Sequence, residues 1–202
     1  LTSYFVSDLH IGDGSKKDNF AVNADKFRLF LEMIGNDTLY CIGDSYELWQ
    51  CEYDDCVRKY SDIYKRLTFA TQIEGNHDSS LSFSKWHVLD NALLIHGHQF
   101  DKYNKDGAKW GKWITKAFGW IEPIFPNLQI VDRLWRDNDK YFQPLYDMAV
   151  KYNCDTVIFG HTHIPANEFR NGIHFLNAGS WVDGICHYIK YENSRYILCQ
   201  LQ

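Results

Sequence analysis

An α/β sandwich of mixed sheets, with its helices outside, is the fold class this sequence predicts. Two patterns carry the prediction. Short apolar runs alternate with stretches of helical periodicity up to about Ala166, and hairpin signals follow to the end. The 202 residues, 45% hydrophobic and 23% charged, suffice for one domain with a sizeable core.

Tyr4-Phe5-Val6 reads as a short buried strand. Phe27, Phe30, Leu31 and Ile34 recur at i, i+3, i+4 and i+7, one face of a helix that Gly35 ends. Residues 39–42 form the second strand. Cys56, Tyr60, Ile63, Tyr64 and Leu67 make the next helical stripe, and residues 69–73 a third strand. Residues 92–95 follow the turn signal Asp90-Asn91. Phe142, Leu145, Tyr146 and Ala149 give another helix face, with a strand at 156–159 behind it. Asn171-Gly172 is a hairpin turn, and strands are expected at 173–176, 182–189 and 195–201.

One stretch breaks this rhythm. Between 101 and 139, Trp110, Trp113, Ile114, Ala117, Phe118 and Ile121 recur at helical spacing beside five lysines, and Pro123 and Pro126 end the run. We read residues 1–202 as one domain carrying a small helical cap insertion at about 101–139. The cap either packs on the domain, pairs two copies as a homodimer, or touches a membrane surface.

Composition excludes several classes. It is that of a globular protein, not a disordered one. No apolar run approaches the ~20 residues of a membrane span. The net charge of -5 makes nucleic acid an unexpected partner. The six cysteines are scattered through predicted elements and read as reduced core residues. No basic region precedes the first apolar run, so no signal peptide is expected and a cytoplasmic location is, with peripheral contact at the inner face of a membrane if the cap binds lipid.

The chemistry gathers where the apolar runs stop. The run at 4–6 leads to Asp8 and His10, and the run at 39–42 leads to Gly43-Asp44. Residues 69–73 lead to Gly75-Asn76-His77-Asp78, 92–95 to His96-Gly97-His98, and 156–159 to Gly160-His161-Thr162-His163. In open α/β sheets, sites assemble at the carboxyl ends of strands. In a strand-like segment i and i+2 point the same way, so Asp8/His10 and His161/His163 read as two-pronged clamps. Imidazole, carboxylate and amide together suit Mn, Fe or Zn, and the lack of thiolates argues against a structural zinc site. His87, His174 and His187 fall in strands away from these motifs and read as structural.

The ordered motifs Asp-x-His, Gly-Asp, Gly-Asn-His-Asp, His-Gly-His and Gly-His-x-His, spanning 8–163, resemble those of the calcineurin-like metallophosphoesterases. Asn177-Ala178-Gly179-Ser180 is similar to the turn after that family's last metal motif. The resemblance implies a four-layer α-β-β-α sandwich with two divalent metal ions, manganese first, iron or zinc as alternatives. Asp8, His10, Asp44 and His163 would hold one ion; Asp44, as a bridge, with Asn76, His96 and His161 would hold the other. His77 would be the catalytic histidine, oriented by Asp78. Such a centre would hydrolyse a phosphodiester or pyrophosphate bond through metal-activated hydroxide, with His77 protonating the leaving oxygen.

Residues 43–49 and 96–101 resemble the branch that holds the UDP-2,3-diacylglucosamine diphosphatases, pyrophosphatases of lipid A biosynthesis. That branch resemblance implies Asp101 and Trp49 near the substrate; His98, two residues past a motif histidine, is a further candidate. The lipid A enzymes carry Arg after the motif Asn, where this chain has His77, the general phosphoesterase pattern. The expected partner is therefore a small-molecule phosphoester or nucleotide-linked substrate. A cyclic-nucleotide or other small-molecule phosphodiesterase or phosphatase is the alternative. A non-catalytic protein-binding scaffold of the same fold is the reading from another class.

Overall fold

The computed structural model describes residues 2–101, 137–182 and 184–201; the proposed cap lies outside the described residues except at its two ends. Among the described residues, ten strands form two five-stranded mixed sheets. The first has the order β10-β9-β1-β2-β3, built from β1 (Ser3–Val6), β2 (Thr38–Ile42), β3 (Thr71–Ile73), β9 (Cys186–Glu192) and β10 (Arg195–Leu201). The second has the order β4-β5-β6-β8-β7, built from β4 (Trp86–Leu89), β5 (Ala92–Ile95), β6 (Thr156–Phe159), β7 (Ala166–Arg170) and β8 (Ile173–Asn177). β1, β2 and β3 run parallel in one sheet, β5, β6 and β8 in the other, and antiparallel strands flank both sets.

Alternation along the strands explains the layers. Phe5, Tyr40, Ile42, Leu94, Ile158 and Leu176 meet in a core between the sheets. Their neighbours in sequence point the other way. Tyr4, Val6, Leu39 and Cys41 pack against helix α1 (Ala24–Ile34), α2 (Tyr53–Lys59) and α3 (Ser61–Leu67). Leu93, Ile95, Val157, Phe159 and Phe175 pack against α4 (Asp139–Lys151). The order is helix, sheet, sheet, helix. Strands buried on both faces must be apolar throughout, hence the continuous runs at 92–95 and 156–159.

α1 buries Phe27, Phe30 and Ile34 and ends as expected at Gly35, whose φ of 52° lets its N–H reach back to Leu31 O. Three expected elements differ from the structure. The stripe at 56–67 is two helices, broken at Tyr60, whose hydroxyl donates to buried Asp18. The third strand begins at Thr71, because Phe69 belongs to the turn closing α3 and is exposed. β9 starts at Cys186, since the chain first turns through Gly179 and Gly184, both at positive φ. All six cysteines are free; Cys51 and Cys199 are half-buried and the others buried.

Candidate metal centre

The loops after β1, β2, β3, β5 and β6 converge at one end of the seam between the sheets. They are knitted by backbone bonds. Asp8 N–H donates to Gly43 O and His10 N–H to Asp44 O among the loops of one sheet, Gly160 N–H donates to His96 O among those of the other, and His161 N–H to Asp8 Oδ2 joins the two. Asp8, His10, Asp44, His161 and His163 all take left-handed backbone conformations, with φ between 49° and 69°. Five such non-glycine residues at one spot mark a strained, over-determined constellation of the kind found at functional sites. The Asp8/His10 clamp expected of a strand-like segment therefore forms by another route, while of the second pair His163 joins the donor groups and His161 faces Asp101. β1 ends at Val6, and alternating left-handed residues turn the Asp8 and His10 side chains inward.

Close packing leaves no room for side chains at the motif glycines Gly43, Gly75 and Gly160. A Cβ on Gly75 would run into the Asp44 carboxylate and backbone, and one on Gly160 into the hydroxyl of Ser7. Asp8 Oδ2 accepts from Ser7 Oγ at 2.6 Å and from His161 N–H at 3.0 Å. That fixes Oδ1 toward the centre, 3.1 Å from His163 Nε2, 3.8 Å from His10 Nε2 and 3.9 Å from His96 Nε2. Asp44 Oδ1 accepts from His77 N–H at 2.8 Å, while Oδ2 lies 3.2 Å from His96 Nε2 and 3.8 Å from His10 Nε2. Three groups of donor atoms fall within mutual reach: Asp8, His10 and His163; Asp8, Asp44 and His96; and His10, Asp44 and His77.

This set fits divalent cations. Asp8 Oδ1, Asn76 Oδ1 and His96 Nε2 are buried and make no hydrogen bond, which is costly unless something else satisfies them. The outer nitrogens are already committed: His96 Nδ1–H donates to Ile42 O at 2.8 Å and His10 Nδ1–H to Glu47 Oε2 at 2.9 Å. Such outer bonds point the other ring nitrogen inward, the usual arrangement of metal-ligating histidines.

The charges are strongly coupled. Burial alone would push Asp8 and Asp44 up, but the surrounding histidines outweigh it and hold both carboxyls well below their ordinary range. Burial likewise opposes protonation of His96, yet Asp44 and Asp8 bring it up to about 9, and His10 is raised by Asp8 and Glu47. His161 is lowered by burial; its Nε2 sits 3.3 Å from Asp101 Oδ2.

Two expected roles differ from the geometry. Asp78 does not orient His77. Its oxygens accept from the backbone N–H groups of Gly75 and Ser45 at 2.8 and 2.7 Å, so it braces the loops, and burial with the nearby Asp44 charge raises it to about 7. The carboxylate on His77 is Glu47, whose Oε1 accepts from Nδ1–H at 2.8 Å while Oε2 takes His10. Burial would raise Glu47, but His77 and His10 bring it to about 2. Sequence reading missed Glu47; its place three residues after Asp44 was the available signal. His98, expected at the substrate, is fully buried beside His96, with ring centroids 5.4 Å apart. Asp101 meets both His161 and the hydroxyl of Tyr141. Asn177 joins the last turn to the His161 loop through Gly160 O and Thr162 Oγ1.

The model of the calcineurin-like phosphoesterase superfamily domain matches residues 2–187, nearly the whole chain. The chain belongs to that superfamily. It is a metal-dependent phosphoesterase, and hydrolase-named relatives agree. A UDP-2,3-diacylglucosamine hydrolase of Shewanella sp. (strain ANA-3) is 24% identical over 223 residues, covering 91% of each chain. The enzyme of that name from Vibrio atlanticus (strain LGP32) is 26% identical over 208 residues, covering 82% of each. Among solved structures, the phosphoesterase Yfce from E. coli superposes with a TM-score of 0.52 at 15% identity over the full length of both chains, a likeness of fold. In this phosphoesterase the superfamily's metal chemistry has a fitting donor set at the sheet seam.

Proposed function

We propose that this phosphoesterase hydrolyses a phosphodiester or pyrophosphate bond at the seam, with a UDP-2,3-diacylglucosamine-like diphosphate as the first substrate to test. One observation carries the reading: four loops from two sheets bring Asp8, His10, Asp44, His96 and His163 into overlapping groups of donor atoms that share Asp8. Two divalent ions there, manganese first, would supply positive charge for a phosphoryl group and acidify a water. Asp8, His10, Asp44 and His163 would hold the first, and Asp44, Asn76, His96 and His161 would hold the second. Placing His161 there requires its Nε2 to leave Asp101. Glu47 holds His77 by Nδ1, which leaves Nε2 to give a proton to the leaving oxygen.

The lipid-like substrate is supported by the names of the relatives and by the apolar, basic run at 101–139, which also underlies the proposal of peripheral contact at the cytoplasmic face of a membrane. His77 in the place of the lipid A enzymes' Arg favours a wider range, cyclic nucleotides included. Purified protein loaded with manganese is assayed on UDP-2,3-diacylglucosamine, bis-p-nitrophenyl phosphate and cyclic AMP, with metal content measured in parallel. His77→Ala should lose about a hundredfold or more in turnover at unchanged metal content. Fewer than two equivalents of metal with no turnover would instead support a binding scaffold.

A further inference from the structure

Trp49 lies two residues beyond Glu47 in the loop after β2. Its indole stacks on the imidazole of His77, with ring centroids 3.8 Å apart and planes 18° apart. The indole N–H donates to the backbone carbonyl of Asn76, the residue before His77, at 2.9 Å. Two other groups meet the same imidazole: Glu47 Oε1 holds Nδ1 at 2.8 Å, and the ring of His10 stands edge-on with centroids 4.5 Å apart.

We propose that Trp49 is a positioning residue for the hydrolysis: its stacked indole fixes the plane of the His77 ring and so aims Nε2 at the leaving oxygen. This rests on the function proposed above, in which His77 is the proton donor. The bond from Glu47 fixes one atom of the imidazole, and a ring held by one atom still swings about that contact. The indole face blocks the swing. Its own anchor is the carbonyl adjoining His77, so the two rings keep register with each other rather than with a distant part of the fold.

The chemistry at stake is one proton. As the P–O bond to the leaving group breaks, Nε2–H breaks and a leaving-group O–H forms; water supplies the new bond to phosphorus and releases one proton to solvent, and the neutral imidazole takes one proton back from solvent. A misplacement of about 1 Å in such a donor costs about a hundredfold in rate. The loss concentrates on leaving groups that need the proton.

The test compares wild type, Trp49→Leu and Trp49→Phe, loaded with manganese, on methyl phosphodiesters whose leaving groups are p-nitrophenol, phenol and ethanol. Trp49→Leu is expected to lose about a hundredfold in kcat on the ethanol and phenol esters, with KM unchanged, and to stay near wild type on the p-nitrophenol ester. Trp49→Phe keeps a ring face and restores most of the loss. A second readout needs no turnover. In metal-free protein the His77 ring protons, assigned with His77→Gln, lie upfield under the indole and move downfield in Trp49→Leu. Equal losses on all three esters, no rescue by phenylalanine, or unmoved His77 resonances would each overturn the positioning role. A wild type that hydrolyses neither these esters nor UDP-2,3-diacylglucosamine overturns the proposed function itself, and this inference with it.

Discussion

Glu47→Gln keeps the shape of the side chain and removes its charge. In the wild type the two carboxylate oxygens take one N–H from His10 and one from His77, and the residue is 7% exposed, so solvent screens little. The fall of its pKa from 4.5 to about 2 corresponds to about 3 kcal/mol of preference for the charged form. A glutamine still offers one carbonyl oxygen, so the expected cost in metal-free protein is about 1–3 kcal/mol. A carboxylate whose folded pKa is depressed stabilises above its unfolded pKa and loses that contribution as pH falls through the folded one. The gap between wild type and variant should therefore stand in full above about pH 4.5 and close toward about pH 2. Urea unfolding across that range measures it. Turnover of the manganese-loaded variant should also fall, because His77 loses its hold, whereas Asp78→Asn should act first on stability through the Gly75 and Ser45 N–H groups. A gap that persists undiminished at pH 2, or an Asp78→Asn variant that disturbs the His77 ring resonances while Glu47→Gln does not, would refute the assignment of Glu47 as the partner of His77.

Metal loading should release protons near neutral pH, since His96 is raised to about 9 in the metal-free protein; calorimetry in buffers of different ionisation enthalpy reads this, and metal affinity should climb between pH 7 and 9. The same group links stability to pH: a raised folded pKa stabilises fully below the unfolded value of 6.5 and is lost as pH rises through about 9, so the metal-free melting temperature should drop across that interval. Gly160→Ala must push aside Ser7, which orients Asp8, so it should cost about 1–3 kcal/mol and lower metal content, read by thermal melts and elemental analysis. If Gly160→Ala binds metal like wild type, the close approach at that glycine is not what holds Asp8 in place.

Much of this was legible because burial and chemistry write different signatures. Strands covered on both faces had to be apolar runs, so β1, β2, β5 and β6 stood out, and the polar residue ending each run marked the site. Local backbone geometry was not legible. The spacing of Asp8 and His10 suggested a strand's alternation, yet the two meet through left-handed residues past the strand's end. Glu47 stayed hidden because a carboxylate in a short loop reads as solvated; only the fold brings it against His10 and His77, residues 37 and 30 positions away. The family resemblance paired Asp78 with His77, and the chain turns its carboxylate toward backbone amides instead. The divided helix at 53–67 and the late start of β9 depend on one buried hydroxyl contact and on turn geometry, neither of which has a periodic signal.

The knitted loops have a mechanical consequence. Asp8 and Asp44 rise from one sheet, His96 and His163 from the other. Any occupant gripped by all four is a rivet through both halves of the sandwich, and loading it should slow amide exchange in strands as far apart as β3 and β8 together. Resistance to unfolding and capacity to react would then share one fastening, so a lesion that loosens either half disarms the whole.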